Sequence, residues 1–290
     1  MAISLLLTGA WSDPGAAVDG FRAYLAQQNL KMDRFWVALH RETPISAVLV
    51  VPGQGNAAMV FVSPTRSRKQ VEALSHLLEH ARKGCRDLDG YLLQVLLEPS
   101  QKLERQAVRQ AGFEHLADLG YLQRSIRQAA EPSRTSIPGY RILNPETAPP
   151  GWLEQAILDS YEQTLDCPKL VGRRHIDDIV AGHRATGVYD PTLWFILAAD
   201  DEDQPAAVAL INPLIQPGGH ELVYLGVSVA HRRKGLAAKL LQLAIAHIAQ
   251  RQPSATLFLA VDLRNAPALR LYHGLGFRQT AERAAYLDTV

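Results

Sequence analysis

The chain has 290 residues, 47% of them hydrophobic and 20% charged, which is the balance of a folded protein and is long enough for one large domain or two ordinary ones. Thirty basic residues against 29 acidic ones leave a formal charge of +1, without the basic excess that nucleic-acid or membrane-surface binding draws on. The only cysteines, Cys85 and Cys167, are too few for a disulfide framework and read as reduced thiols in a cytoplasmic setting.

The apolar run at Ile3 and Leu5 to Leu7 has no basic segment ahead of it and is short for a signal core. No stretch approaches the roughly 20 apolar residues of a bilayer span. Pro14 to Gln28 predicts an amphipathic helix through Val18, Phe21, Tyr24 and Leu25. Phe35 to Leu39, Ile45 to Val51 and Ala57 to Val62 read as an antiparallel meander, broken at Thr43-Pro44 and at Pro52-Gly53-Gln54-Gly55-Asn56. Ser67 to Arg82 reads as a helix with Gly84 as its stop. A strand over Tyr91 to Leu97, a helix over Ser100 to Gln110 and a hairpin-like segment over Glu114 to Ile126 follow.

Arg127 to Gly151 carries five prolines and reads as a linker, with Tyr140 to Leu143 a candidate first strand. Beyond it, Trp152 to Leu165 and Arg174 to Thr186 read as helices. Strands are expected over Leu193 to Ala199, Ala206 to Ile211 and Glu221 to Val229. A helix over Gly235 to Gln250, a strand over Leu257 to Val261 and a helix over Ala266 to Gly274 complete the order. The two halves repeat one layout, Val60-Phe61-Val62 matching Val227-Ser228-Val229 and Gly112-Phe113 matching Gly276-Phe277. The expectation is two α/β domains of one fold, residues 1–130 and 151–290, joined by a linker over 131–150.

Arg232-Arg233-Lys234-Gly235-Leu236-Ala237 falls between a strand and a helix. A helix start has unpaired N–H groups and a partial positive charge, so it can accept a pyrophosphate. Gly235 lets backbone approach the phosphates, Ala237 and Ala238 keep the turn open, and Arg232, Arg233 and Lys234 add charge. Taken alone, the same residues also describe an ordinary basic turn. No Gly-x-Gly-x-x-Gly follows a strand and no Gly-x-x-x-x-Gly-Lys-Ser/Thr occurs, which removes the dinucleotide and P-loop readings.

Downstream lies Asn265-x-x-Ala268-x-x-Leu271-Tyr272-x-x-Leu275-Gly276-Phe277. With both pieces in this order and spacing, roughly Tyr140 to Leu287 resembles a GNAT-superfamily N-acyltransferase. The resemblance implies a mixed-sheet α/β fold and acetyl-CoA as co-substrate, with no metal. By it, Val227 and Val229, with Ser228 between them, would offer backbone to the pantetheine arm. The N–H groups from Arg233 through Gly235, Leu236, Ala237 and Ala238 would hold the pyrophosphate, with Asn265 on the pantetheine arm and Tyr272 facing the sulfur. Tyr272 would then protonate the departing thiolate, against the plain alternative of a core aromatic beside Phe277. Glu221 is the candidate base; strand alternation sets it with Val223, Leu225 and Val227, and His220 with Tyr224 on the other face. A solvated charge at a strand end is its alternative.

Trp152 to Pro191, with Tyr161, Asp166, Cys167, Arg173, Arg174, His175, Asp177, Asp178, His183 and Tyr189, should build the acceptor pocket. The acceptor is expected to be a primary amine on a small molecule or a peptide, and the sequence leaves both it and the oligomeric state open. In the first half, Ser63-Pro64-Thr65-Arg66-Ser67 has no glycine for a phosphate turn, Gln101 stands in the Asn265 place and Val108 in the Tyr272 place. That half reads as a degenerate domain that does not bind the cofactor. His76-Leu77-Leu78-Glu79-His80 matches an inverted zinc-protease pattern but marks no further acidic ligand, and reads as coincidence. The reading is therefore tandem GNAT-like domains with one N-acetyltransferase site; a non-catalytic acyl-CoA-binding protein is the alternative.

Overall fold

The computed structural model describes residues 33–88, 90–127 and 136–290, together with Asp19 and Ala23. The helix expected over Pro14 to Gln28 lies, those two residues apart, outside them. The chain divides into two units, residues 1–117 with 283–290, and residues 118–282.

In the first unit, β1 (Phe35–His40), β2 (Thr43–Pro52) and β3 (Ala57–Val62) form the expected antiparallel meander, and β4 (Leu92–Leu97) adds in parallel to β3. Ala47 to Val51 of β2 are each 4% exposed or less. A strand covered on both faces reads as a continuous apolar run rather than an alternation. Val48 and Val50 pack under α1 (Arg68–Gly84) and α2 (Lys102–Gln110), while Leu49 and Val51 meet Phe35, Val37 and Phe61 on the opposite face. Helix α1 buries Val71, Leu74, Leu78 and Ala81, the stripe its periodicity predicts. Gly84 ends it for a packing reason: an added Cβ would stand 2.8 Å from the Trp36 ring.

The second unit places β6 (Tyr140–Leu143), β7 (Trp194–Ala199), β8 (Pro205–Pro213), β9 (Gly219–Val227) and β10 (Ser254–Asp262) in one sheet. Helices α5 (Leu236–Arg251) and α6 (Ala266–Gly274) cover one face, where Leu240, Ala244 and Ile248 pack on Phe195, Leu222 and Leu257. On the other face α3 (Trp152–Tyr161) and α4 (Ile176–Ala185) set Trp152, Ile157 and Val180 on Trp194, Val208 and Leu210. Each such Leu, Ile or Phe contributes about 1.5–3 kcal/mol relative to exposure.

Two strands correct the division by halves. Glu114 to Ile126 is no hairpin but one strand, β5 (Glu114–Arg127), whose Leu119 to Arg127 pair antiparallel with β10 in the second unit. The last strand, β11 (Arg278–Thr289), pairs Ala284 to Thr289 with β4 in the first. Tyr286 is fully buried in the first unit's core, and Asp288 accepts from Arg82 at 2.6 Å. Each unit is thus completed by the final strand of the other half of the sequence. Turn chemistry and periodicity are local, so they do not reveal which sheet a terminal strand joins.

Both units share one further feature. The parallel pair β3–β4 registers over Ala57/Leu92 to Met59/Gln94, and β9–β10 over Thr256/Gly219 to Phe258/Glu221. Beyond those three residue pairs neither couple of strands remains in register, and each sheet opens toward its carboxyl end.

Candidate functional site

Strand β9 leads into the basic turn. It ends at Val227, not Val229: Ser228 N–H donates to the Ala206 carbonyl at 2.9 Å, and Val229 opens a 3-10 turn to His231. The expectation of a strand through Val229 is corrected there, because the register with β8 ends at Ala207/Val227 and the chain turns into the 3-10 segment. Arg233 (φ 62°) and Gly235 (φ 75°) then adopt left-handed backbone. A non-glycine residue held there costs about 1–2 kcal/mol. Gly235 stands at the N-cap of α5 with no side-chain cap, and an added Cβ would find no atom within 4 Å. The first N–H groups of α5 therefore carry no side-chain cap at a positive helix end. Arg233, Lys234 and Gly235 are exposed, Leu236 is buried in the core, and Ala237 and Ala238 are half-buried.

Arg232 does something else. Its guanidinium donates to the carbonyls of Val227 (3.1 Å), Ser160 (3.0 Å), Glu162 (2.6 Å) and Gln163 (3.3 Å). It caps the carboxyl end of α3 and ties that end to β9, so its charge is spent on carbonyl dipoles rather than on the turn's rim. This also explains why α3 stops at Tyr161, short of the expected Leu165: Gln163 turns left-handed at φ 51°.

A bulge in β9 changes the face assigned to Glu221. Leu210 registers with Tyr224 but Ile211 with Leu222, so Val223 is an extra residue. Glu221, opposite Asn212, shares the Tyr224 face and is turned away from Leu225 and Val227, the reverse of the alternation drawn from sequence. A bulge shifts period-two alternation by one, and nothing in the residue types marks it. Glu221 is half-buried and burial raises its carboxyl above the usual range.

The Glu221 face is aromatic. His183 of α4 stacks on Tyr224 (5.5 Å, 27°), and Tyr161 meets the same ring edge-on at 5.7 Å. The Tyr224 hydroxyl is 2.6 Å from Ser160 Oγ, which donates to the Ile157 carbonyl. Burial, reinforced by nearby Arg174, brings His183 down to about 4, and its Nε2 is buried without a partner. Asn212 supports α4 from below, donating to the carbonyls of His183 and Thr186 at 2.7 Å each and accepting from the Trp194 indole.

At the open end of the sheet, Asn265 caps α6, accepting the Ala268 N–H at 3.3 Å. Asp166 Oδ1 accepts the Asp262 N–H at 2.9 Å, and Cys167 N–H reaches Asp262 Oδ2 at 3.3 Å. Burial raises the Asp166 carboxyl and pushes the Cys167 thiol to about 12, so that thiol stays protonated. Tyr272 is 7% exposed, edge-on to Phe277 at 5.7 Å; burial, and then the Asp166 charge, hold its hydroxyl above the ordinary tyrosine value. Asn265 and Tyr272, two turns apart on α6, lie on one side of that helix. The structure thus assembles Asn265, Tyr272, Asp166, Cys167, Tyr161, Tyr224 and His183, with Glu221 on the same sheet face as Tyr224. Sequence reading placed Asp166 among pocket residues without a role, and left Gly226 unremarked. An added Cβ at Gly226 would meet Ser160 Oγ at 2.3 Å, which shows how closely α3 lies on β9. The glycine in Leu225-Gly226-Val227 was the available signal.

The first unit's helix α1 sets Leu77 and Leu78 in the core and leaves His76 and His80 exposed. Among the described residues, no group of three His, Cys, Asp or Glu side chains converges as a metal site. Nor is any described helix long and apolar enough to cross a membrane.

Residues 158–277 match the acetyltransferase (GNAT) family. Over 77 residues the chain is 35% identical to the mouse N-acetyltransferase family 8 member 3, a match covering 27% of this chain and 34% of the relative. The chain therefore spans about a third of the length of such mouse relatives. It is 24% identical over 256 residues to mycothiol acetyltransferase of Mycolicibacterium paratuberculosis, covering 81% of this chain and 79% of that one. The fold is similar to a GCN5-related N-acetyltransferase from Sphaerobacter thermophilus (TM-score 0.64, 16% identity, 99% and 90% of the two chains). It is also similar to a tandem GNAT protein from the clavulanic acid biosynthesis pathway (TM-score 0.57, 14% identity, 99% and 92%).

Proposed function

We propose that this chain, whose residues 158–277 match the acetyltransferase (GNAT) family, is an acyltransferase whose second unit transfers an acetyl group from acetyl-CoA to a primary amine of a small molecule or peptide. The observation that carries this is the α5 start: two left-handed residues, an uncapped helix end and open space at Gly235, beside a sheet that parts after Glu221/Phe258. Backbone N–H groups from Arg233 to Ala238 suit a pyrophosphate, and the open edge of β9 past Glu221 suits an extended pantetheine arm. Asn265 lies at the mouth of the same opening.

Acetyl-CoA, when bound, supplies the activated thioester. Glu221 takes a proton from the incoming ammonium, its burial bringing it nearer the working pH than a free carboxylate. Tyr272 keeps its proton at neutral pH and gives it to the departing sulfur. The acceptor lies against Tyr161, Tyr224 and His183. The first unit is a degenerate domain that binds no acyl-CoA, and the protein acts in the cytoplasm.

Calorimetry with acetyl-CoA, followed by a free-thiol assay across small amines and peptides, tests the reading. Binding with thiol release is expected. Absence of binding overturns it, and binding without thiol release across the panel makes the protein a non-catalytic acyl-CoA binder.

A further inference from the structure

Arg232 is the first of three basic residues ahead of α5, in the turn that the acyl-CoA reading gives to the pyrophosphate, yet its guanidinium is committed elsewhere. Nε donates to the Val227 carbonyl at 3.1 Å, Nη1 to that of Gln163 at 3.3 Å, and Nη2 to those of Ser160 (3.0 Å) and Glu162 (2.6 Å). A guanidinium offers its N–H groups in one rigid plane, so these four carbonyls are held in a fixed relation to one another. Three of them belong to the end of α3 and the residues after it, and the fourth to the last residue of β9.

The choice of carbonyls is informative. Ser160 and Glu162 flank Tyr161, so a single nitrogen holds the backbone on both sides of that residue. The Tyr161 ring meets Tyr224 edge-on at 5.7 Å, and Tyr224 stacks on His183. At the β9 end, Ala207 registers with Val227 while Ser228 N–H reaches the Ala206 carbonyl. That is the antiparallel alternation in which the N–H and C=O of Val227 turn away from β8. Arg232 therefore meets the Val227 carbonyl on the side from which β10 has parted. A plain helix cap would engage α3 alone, whereas this one planar group joins the ring wall to the open side of β9.

Resting on the acyl-transfer reading above, we propose that Arg232 is a positioning residue for the acceptor and not a cofactor ligand: its fork fixes Tyr161, and so the wall against which the amine lies, relative to the end of β9 where the thioester would be held. It acts through Tyr161 and touches no reacting atom. A lysine in its place keeps a positive charge but is a single point on a flexible stem, unable to hold carbonyls of both elements together. A charge role at the pyrophosphate and a positioning role at the acceptor therefore separate in one substitution. The full chain is compared as wild type, Arg232→Lys, Arg232→Gln, Tyr161→Ala and the double variant Arg232→Lys with Tyr161→Ala. Calorimetry gives Kd for acetyl-CoA, and the free-thiol assay gives kcat and KM with the panel amine that wild type acetylates fastest.

Arg232→Lys and Arg232→Gln should each raise the amine KM about tenfold, the scale of one lost hydrogen bond. Unchanged kcat and acetyl-CoA Kd should accompany it, the split that marks lost acceptor binding alone. In the Tyr161→Ala background, Arg232→Lys should raise KM no further. If Arg232→Gln does not fold, the lysine and double variants carry the comparison. A wild-type KM in Arg232→Lys, a fall in kcat without a rise in KM, weakened acetyl-CoA binding in either Arg232 variant, or additive effects in the double variant would each overturn the proposal and leave the acyl-transfer reading standing. A wild type that acetylates no amine of the panel, or binds no acetyl-CoA, overturns that reading and the proposal with it.

Discussion

The starts of α1 and α5 occupy the same place in their two units, after a strand whose parallel neighbour departs within three residue pairs. At α1 the orphan N–H groups are answered from within. Ser67 Oγ accepts the Gln70 N–H at 3.3 Å, Gln70 Oε1 accepts from Arg66 N–H at 2.9 Å, and the buried Glu104 carboxylate accepts from Thr65 N–H. This is close to a capping box, with a carboxylate set where an anion would otherwise bind. At α5 no side chain caps the helix, Arg233 and Gly235 are left-handed, and a Cβ at Gly235 would meet no atom within 4 Å. The comparison teaches that one fold can retain the parted sheet while the helix start beside it is either capped by its own side chains or left uncapped.

That contrast can be broken in several ways. Tyr272→Phe should lower kcat for acetyl transfer about a hundredfold with acetyl-CoA affinity unchanged, as for loss of a general acid; an unaltered rate would return Tyr272 to the core it shares with Phe277. Gly226→Ala should destabilise the second unit by about 1–3 kcal/mol, since its Cβ meets Ser160 Oγ at 2.3 Å and Ser160 Cβ at 2.6 Å. Thermal unfolding reads this as a lowered first or only transition.

Acid should also act on the second unit. His183 is held at about 4, below its ordinary 6.5, so the unfolded chain binds the proton first. Its contribution is complete above about pH 6.5 and is lost as pH falls toward 4, with His220 and His247, also lowered by burial, adding in the same direction. Denaturant unfolding from pH 7 to pH 4 should lose less stability in His183→Gln than in wild type; parallel slopes would remove the assignment.

The two helix starts themselves give the smallest effects and the sharpest contrast. Gly235→Val meets no neighbour, so its cost is the left-handed backbone, about 1–2 kcal/mol, and acetyl-CoA affinity should fall about tenfold. Ser67→Ala should cost about 1 kcal/mol of stability by removing a cap, with acetyl-CoA affinity intact. If Ser67→Ala also weakened the cofactor, the first unit would not be the self-satisfied copy described above.

Much of this was legible in the residues. Helices α1, α5 and α6 follow from apolar periodicity with Gly and Asn punctuation, because a helix satisfies its own backbone and its face is written at fixed spacing. The turn at Gly235 and the Asn265–Tyr272 stripe were legible because each is a local backbone or one-helix feature. Glu221 was not: the extra residue at Val223 depends on how β8 registers with β9, and Val223 differs in no way from a regular strand residue. Arg232 was misread for a similar reason, since three of its four carbonyl partners lie some seventy positions away in sequence.

The sequence by itself determined the element order, the repeat, the glycine turn ahead of α5 and the absence of a glycine in the turn after β3, all of which are set by neighbouring residues. Only the tertiary structure decided which strand completes which unit, which face Glu221 occupies, and that Asp166 is tied to the end of β10 through Asp262. Those depend on hydrogen bonds between residues far apart in the chain, whose partners no local pattern specifies.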